Sequence, residues 1–351
     1  MSDPTAKSSL SRRVVTMKDV AKAAGVSVMT VSRAFKDHTS VKGRTREHIR
    51  QTASEMGYVF DSTAANLRTQ RSNFIAVVIP SLNNANFADT IDGLSGPVEA
   101  SGRQILLGNS NYDIDREERL VEQLLQRRPE AIVLTGGRHT KGVRSRLSDG
   151  GLPVVEMWDL PANPIGHVVG FDNASTMKDM VGHLVASGHE RIGFIGGDAP
   201  QDARGAHRRI GFVAAMEELG LSARRLVGTG TPPISMREGA LAMGQLLEQL
   251  PDTDAVICVS DLTAFGALTE CMRRGVAVPD DMAIAGFGAY EIASVCVPAL
   301  TTIDPHPREI GRRTGELIVS LLDNPTLAGE TVDPHIVVKI PTDITPGGSA
   351  P

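Results

Sequence analysis

From about residue 72 onward, short apolar runs of strand length alternate with amphipathic stretches of helical period, and few architectures accept that pattern. Strands are expected at 74–80, 104–108, 131–135, 154–157, 191–195, 226–228, 255–259, 283–287 and 335–340. Helices are expected between them at 87–101, 115–127, 173–187, 207–219, 237–249, 262–274 and 308–322. Near-continuous apolar strands separated by helices give parallel sheets covered on both faces, because a parallel pair needs a crossover connection. The segment 129–135 (Pro-Glu-Ala-Ile-Val-Leu-Thr) is echoed by 253–259 (Thr-Asp-Ala-Val-Ile-Cys-Val), so the body reads as two similar sheets. Ligands of open α/β sheets sit beyond the carboxyl ends of the strands, and two facing sheets create a cleft between them.

The 351 residues exceed what one core usually accommodates, which predicts a small module beside the larger body. The net charge of -5 hides an asymmetry: residues 1–71 hold 13 Lys+Arg against 6 Asp+Glu, and residues 72–351 hold 23 against 35. A basic head on an acidic body suits a chain that grips a phosphate backbone with one end and keeps the other off it. With 41% hydrophobic residues the chain can build real cores, which excludes wholesale disorder. Three cysteines without a C-x-x-C pair suggest neither a disulfide framework nor a zinc site and fit a reducing cytoplasm. The N-terminus lacks an apolar signal region and no run approaches membrane-spanning length, so neither secretion nor membrane association is expected.

Within the head, Thr16 caps a short helix that Gly25 stops, and Asp19 stands where a capping box places its acid. Ser27 then caps a second helix, Val28 to Phe35, after a turn of only three residues. Ala21, Gly25 and Val31 have the spacing of a helix-turn-helix: a small residue at the crossing, glycine in the turn, and a β-branched residue packing the second helix on the first. That second helix is expected in the major groove, with Val28 and Met29 offering apolar contacts to bases and Arg33 pairing with guanine or phosphate. Thr30 and Ser32 carry hydroxyls suited to phosphate oxygens. A third helix, 44–56, turns Ile49 and Met56 inward and His48 and Arg50 outward.

The run from Met17 to Arg33 resembles the head of the lactose-repressor and galactose-repressor (LacI/GalR) family of bacterial transcription regulators. The resemblance continues through Thr45-Arg46 and Gly57-Tyr58, and through the linker 61–71. It resumes at Phe171-Asp172-Asn173, at 188–192, 208–212 and 298–303, and so covers almost the whole chain. It implies an all-α helix-turn-helix head joined to an α/β body of two parallel-sheet subdomains like those of periplasmic binding proteins. It also implies a cytoplasmic homodimer, nucleoid-associated when bound to double-stranded operator DNA, with a sugar or sugar-acid effector and no cofactor. Thr16 and Tyr58 join the DNA-facing set by the same resemblance. In the linker, Leu67 matches a leucine that wedges into the minor groove; it is the only large apolar residue between Phe60 and Phe74. Phe60, Asp61 and Ala65 depart from the family's usual proline, asparagine and arginine.

The resemblance carries an effector site onto Arg208, three residues before Gly211, and onto Ser81, Phe87, Ser260 and Asp261. An arginine fork suits a carboxylate, whereas the alternative for Asp261 is a helix N-cap. Trp158, the only tryptophan, stands at the end of an apolar strand where it either stacks on a sugar or belongs to the core. Glu156 interrupts that strand and calls for a hydroxyl partner or a buried arginine. Phe287 and Gly288 complete the set; many sugar-binding relatives carry an aspartate at the position of Gly288, and its replacement removes a negative charge. This segment, with Glu156 and Trp158, is similar to the gluconate-utilisation repressor branch.

The expected organisation is therefore a disordered extension (1–14), a helix-turn-helix domain (15–60), a hinge (61–72), an effector-binding and dimerisation domain (73–340) and a disordered Gly/Pro/Ser-rich tail (341–351). An enzyme is not expected, since neither G-x-G-x-x-G spacing, nor a P-loop, nor a nucleophile elbow occurs. The remaining alternative is a periplasmic-type sugar-binding protein without a DNA-directed role.

Overall fold

The computed structural model describes residues 15–35, 41–59, 71–148, 151–324 and 335–351. The extension 1–14 and the hinge segment 60–70, with Leu67, lie outside the described residues. The chain divides into two compact units, 1–71 and 72–351.

In the first unit, helices α1 (Met17–Ala23), α2 (Val28–Ala34) and α3 (Gly43–Glu55) pack around Val20, Ala21, Val31, Ala34, Ile49 and Ala53. The turn works as the sequence suggests: Gly25 takes φ 65°, which costs a glycine nothing. Ser27 Oγ accepts the Thr30 amide at 3.1 Å and starts α2.

The second unit holds two six-stranded sheets with the same order of equivalent strands. The first contains β1 (Phe74–Ile79), β2 (Gln104–Asn109), β3 (Ala131–Thr135), β4 (Val154–Met157), β5 (His167–Gly170) and β11 (Val337–Lys339), in the order β11-β5-β4-β3-β1-β2. The second contains β6 (Ile192–Ile195), β7 (Leu226–Val227), β8 (Ala255–Cys258), β9 (Ala283–Phe287), β10 (Thr301–Asp304) and β12 (Asp343–Thr345), in the order β12-β10-β9-β8-β6-β7. The echoed segments form β3 and β8, which occupy the same place in their sheets. Every described pairing is parallel except β10 with β12.

Helices α4 (Ala85–Ala100), α5 (Ile114–Leu125), α6 (Lys141–Ser148), α7 (Asn173–Ala186), α8 (Ala203–Glu218), α9 (Met236–Gln249), α10 (Asp261–Arg274), α11 (Glu291–Val295) and α12 (Pro307–Asp323) cover the sheets. The tightest helix pairs are built on glycine. A Cβ at Gly311 of α12 would overlap the Thr90 carbonyl of α4, and one at Gly211 of α8 would overlap the Ala174 carbonyl of α7. Backbones approach this closely only where a side chain is absent, and inserting one strains the pair.

Three expectations need correction. The tail is ordered: β12 pairs with β10, Ser349 and Ala350 are buried, and Thr301 N donates to Ser349 Oγ at 2.9 Å. Small polar residues suffice there because the bonds closing the sheet edge come from backbone and one serine, so residues 341–351 extend the larger domain to Pro351. Strands β5 and β10, four residues each, were not among the expected elements. Finally, α8 begins at Ala203 rather than His207, and the extra turn brings one more arginine onto the helix.

Candidate functional site

In the first unit, Asp19 Oδ2 accepts from Thr16 N (2.9 Å) and Thr16 Oγ1 (2.6 Å), so Thr16 is engaged in capping α1. On α2, Val28 and Met29 are 41% and 54% exposed, and Arg33 is also exposed. Two large apolar side chains in water at a helix N-terminus, beside an arginine, leave a face with no intramolecular work. Thr30 Oγ1 lies 2.8 Å from Ser27 Oγ, and Ser32 is half-buried. Tyr58 packs edge-on against Phe35 with ring centroids 6.1 Å apart, half-buried on the helical core.

In the second unit, a cavity of about 230 Å³ opens where the carboxyl ends of strands from both sheets face each other. Ser81 follows β1, Trp158 follows β4, Ser260 follows β8, and Phe287 ends β9; all four line it together with Phe87 and Arg208. Six of the expected effector residues therefore meet in one place. Trp158 belongs to both core and cleft: its ring packs edge-on against Phe87 and Phe171, and its Nε1 donates to Thr90 Oγ1 at 3.1 Å. Its φ of 74° is strained for a bulky residue, and such strain persists where the surroundings impose it.

Arg208 is 7% exposed and lies flat on Phe287, with Cζ 4.1 Å from the ring centroid. Nη1 donates to Asn173 Oδ1 at 2.8 Å, whereas Nε has no hydrogen-bond partner among the described residues. Asp172 caps α7, and Asn173, the first residue of that helix, orients the arginine while donating to the Trp158 carbonyl. Burial, with the neighbouring Arg204, lowers the Arg208 pKa while Asp202 opposes, yet a guanidinium keeps its proton. It waits as a cation that forms no ion pair with a carboxylate among the described residues.

The structure takes the remaining three expected residues elsewhere. Glu156 is buried but faces away from the cleft: its Oε2 accepts from Ile165 N, and His139 Nε2 lies 3.4 Å from Oε1. Neither the hydroxyl nor the arginine expected for a buried glutamate is its partner; backbone amides bond Oε2, and the His139 ring faces Oε1 as a charge partner rather than a hydrogen-bond donor. Asp261 is not the cap of α10, which is Ser260. Its oxygens instead accept from Tyr290 N (2.8 Å) and Thr302 Oγ1 (2.6 Å), tying the loop after β9 to the helix start. Gly288, at φ 127°, has no room for a side chain, because Tyr290 occupies the space its Cβ would enter.

Tyr290, Tyr112 and Arg204 are among the cleft residues that the sequence did not reveal. Tyr290 crosses from one lobe to the other, its hydroxyl donating to Asn84 Oδ1 at 2.8 Å. Tyr112 stands beside it on the cavity wall. Arg204 lies one turn before Arg208, and its spacing could have revealed it had the helix start been placed correctly.

Burial pushes the Asp261 carboxyl up to about 6, against the hydrogen bonds from Thr302, Tyr290 and Phe287. The folded state then binds this proton more tightly than the unfolded chain, where an aspartate titrates near pH 3.9. Its contribution to stability is full below about pH 4 and is lost as pH rises to about 6, a change of about 3 kcal/mol. Asp261→Asn, with Oδ1 on the Tyr290 amide and Nδ2 donating to Thr302, is expected to remove that slope and to match or exceed the parent at pH 7.5. Urea denaturation of both proteins across pH 4–8 checks this, and an unchanged slope in the variant would refute it.

A helix-turn-helix unit with an unengaged reading end, in a chain whose other unit surrounds a cationic cleft, defines a DNA-binding regulator with a ligand pocket. Comparison with known proteins agrees. A profile for bacterial regulatory proteins of the lacI family matches residues 16–61, and one for a periplasmic binding protein-like domain matches residues 181–350. The HTH-type transcriptional regulator GntR of Pseudomonas aeruginosa is 33% identical over 318 residues, covering 91% of this chain and 92% of its own. The HTH-type transcriptional regulator IdnR of Escherichia coli K12 is 32% identical, covering 91% and 95%. A lacI-family regulator of Silicibacter pomeroyi superposes with a TM-score of 0.87 at 29% identity, over 96% of this chain and 99% of its own. The chain belongs to the lacI family of bacterial regulatory proteins, and it is a transcriptional regulator rather than an enzyme. Among the described residues no helix is long and apolar enough to cross a membrane.

Proposed function

We propose that the protein is a repressor that holds a near-palindromic operator as a homodimer and releases it when a sugar acid of the gluconate type enters the cleft. The observation that carries this reading is Arg208: a buried guanidinium with a free Nε, and no carboxylate within 4.0 Å among the described residues. A carboxylate answers such a fork with two parallel charge-assisted bonds. Ser81 and Ser260 offer hydroxyls to the polyol chain, and Trp158, Phe87 and Phe287 offer apolar faces beneath its carbons. Closure of the lobes shifts operator affinity only if the ligand prefers the closed form, and a coupling of roughly 1–3 kcal/mol changes affinity about 5- to 150-fold. Gluconate is therefore expected to weaken operator binding by a factor in that range in a gel shift, while glucose leaves it unchanged. Tighter operator binding with gluconate would make it a co-repressor and end this reading.

At the DNA, α2 reads the major groove through Val28, Met29 and Arg33, with Thr30 and Ser32 near phosphates. Two copies related by a two-fold axis repeat the half-site. Leu67 of the hinge supplies a minor-groove wedge. Arg33→Ala is expected to cost roughly 1–3 kcal/mol and to relax preference at one base pair. Binding to a library of operator variants measures it; equal weakening on all sequences would reassign Arg33 to phosphate.

A further inference from the structure

The cleft holds two cations, and the proposed carboxylate uses one. Arg204 and Arg208 sit four residues apart on α8, on one face of the helix. Arg204 is 8% exposed, lies over the Phe87 ring with Cζ 5.3 Å from its centroid, and reaches the loop after β3 at Gly136. It makes no hydrogen bond or ion pair with any described residue. Two adjacent buried guanidiniums, each over an aromatic ring, share the cavity wall with Asp202, which forms an ion pair with neither, so a monoanion on Arg208 still leaves the Arg204 guanidinium without a hydrogen-bond partner among the described residues.

The space beyond Arg204 is also built. A second cavity of about 520 Å³ adjoins the first and shares Tyr112, Arg204 and Pro232 with it. Ser110 and Thr231 bring hydroxyls to its wall, and Arg138 brings a third guanidinium. Arg138 Nη1 donates to the Pro200 carbonyl of the opposite lobe and so stands across the mouth. The acids on this wall are mostly engaged: Asp113 caps α5 by accepting two amides at 2.9 Å, and Glu117 is held by His139 at 2.6 Å. Asp115, and Asp202 on the wall of the smaller cavity, are the acidic groups left to meet hydroxyls. At about 230 Å³ the smaller cavity falls below the roughly 300–1,000 Å³ of ordinary ligand pockets, so it suits one end of a molecule rather than the whole.

We propose that Arg204 is the centre of a second anion subsite, and that the effector is a sugar acid carrying an anionic group at each end. One carboxylate lies on Arg208, and a second carboxylate or a phosphoryl group at the other end of the chain lies on Arg204. This rests on the reading of Arg208 given above. The second anion supplies the acceptors that the Arg204 guanidinium lacks, and the polyol between the two ends spans both cavities.

Calorimetry on the full-length protein with gluconate, glucarate, 6-phosphogluconate and glucose tests it, using the parent, Arg204→Met, Arg204→Lys and Arg208→Met. At least one of glucarate and 6-phosphogluconate is expected to bind about 10- to 100-fold more tightly than gluconate, and which one does so identifies the second group. Arg204→Met is expected to erase that advantage while leaving gluconate affinity within about threefold, and Arg204→Lys to restore part of it. Thermal midpoints of the unliganded variants establish that they fold, and the ranking of ligands on the parent stands without any variant. Equal affinity for gluconate, glucarate and 6-phosphogluconate overturns the subsite. Equal weakening of gluconate, glucarate and 6-phosphogluconate by Arg204→Met also overturns it, because both arginines would then clamp one carboxylate. Tight glucose binding, indifferent to Arg208→Met, removes the sugar-acid reading and this inference together.

Discussion

Arg208→Met is expected to weaken gluconate binding by about 10²- to 10³-fold while leaving operator affinity without effector unchanged. Truncating one partner of a buried charge-assisted pair costs 2–5 kcal/mol or more, since the other charge is left without its counterpart. Methionine keeps most of the volume and a favourable contact with Phe287, so the pocket does not collapse. Asn173 loses its arginine but still donates to the Trp158 carbonyl, which limits the structural damage. Unliganded stability is expected to hold or rise, because a desolvated cation without a carboxylate has been removed. Arg208→Lys is not expected to rescue affinity, since an ammonium lacks the planar fork. Calorimetry with gluconate decides the matter, and a dissociation constant within about threefold of the parent would defeat the charge argument.

His139→Leu is expected to cost about 3–5 kcal/mol in the stability of the larger domain. His139 is buried between Glu117, at 2.6 Å from Nδ1, and the Gly136 carbonyl, at 3.0 Å from Nε2, with Glu156 at 3.4 Å. Both ring nitrogens face acceptors, so both carry protons and the imidazole is a cation. Burial lowers its pKa, but the carboxylates of Glu117 and Glu156 more than reverse this and push it up to about 9. The stabilisation is therefore full below the unfolded value near 6.5 and is lost as pH rises through about 9, a change of about 3 kcal/mol. Leucine would leave two buried carboxylates without their cation, the costly way to break such a cluster. Urea denaturation at pH 6.5 and 9.5 is expected to show a large decline for the parent and a flatter profile for the variant; parallel profiles would show that His139 is neutral. The effect reaches the cleft, because His139 holds the Gly136 carbonyl at the start of the loop that carries Arg138.

The alternation of apolar runs and amphipathic helices was enough to announce two parallel-sheet lobes and the cleft between them. Ala21, Gly25 and Val31, with two capping residues, were enough for the helix-turn-helix. These signals are local: burial on one face writes itself into spacing of two or of three to four residues, and caps and glycine turns mark the ends. Ser81, Phe87, Arg208, Ser260 and Phe287 came from the resemblance to the LacI/GalR family, whereas Trp158 was legible from its place at the end of an apolar strand.

What the pattern could not carry was partnership. Glu156 satisfies its buried charge through a histidine 17 positions back in the chain and an amide nine positions ahead, neither of which periodicity links to it. The 341–351 tail looked too polar to order, yet an open strand edge captures it by backbone bonds that composition does not register. Tyr290 meets Asn84 across 206 residues, and it fills the space that the backbone leaves beside Gly288. Local spacing therefore determined which elements form and which face each buries. Which charges find partners, and which remain unpaired in the cleft for a ligand to answer, was decided only when packing set distant residues side by side.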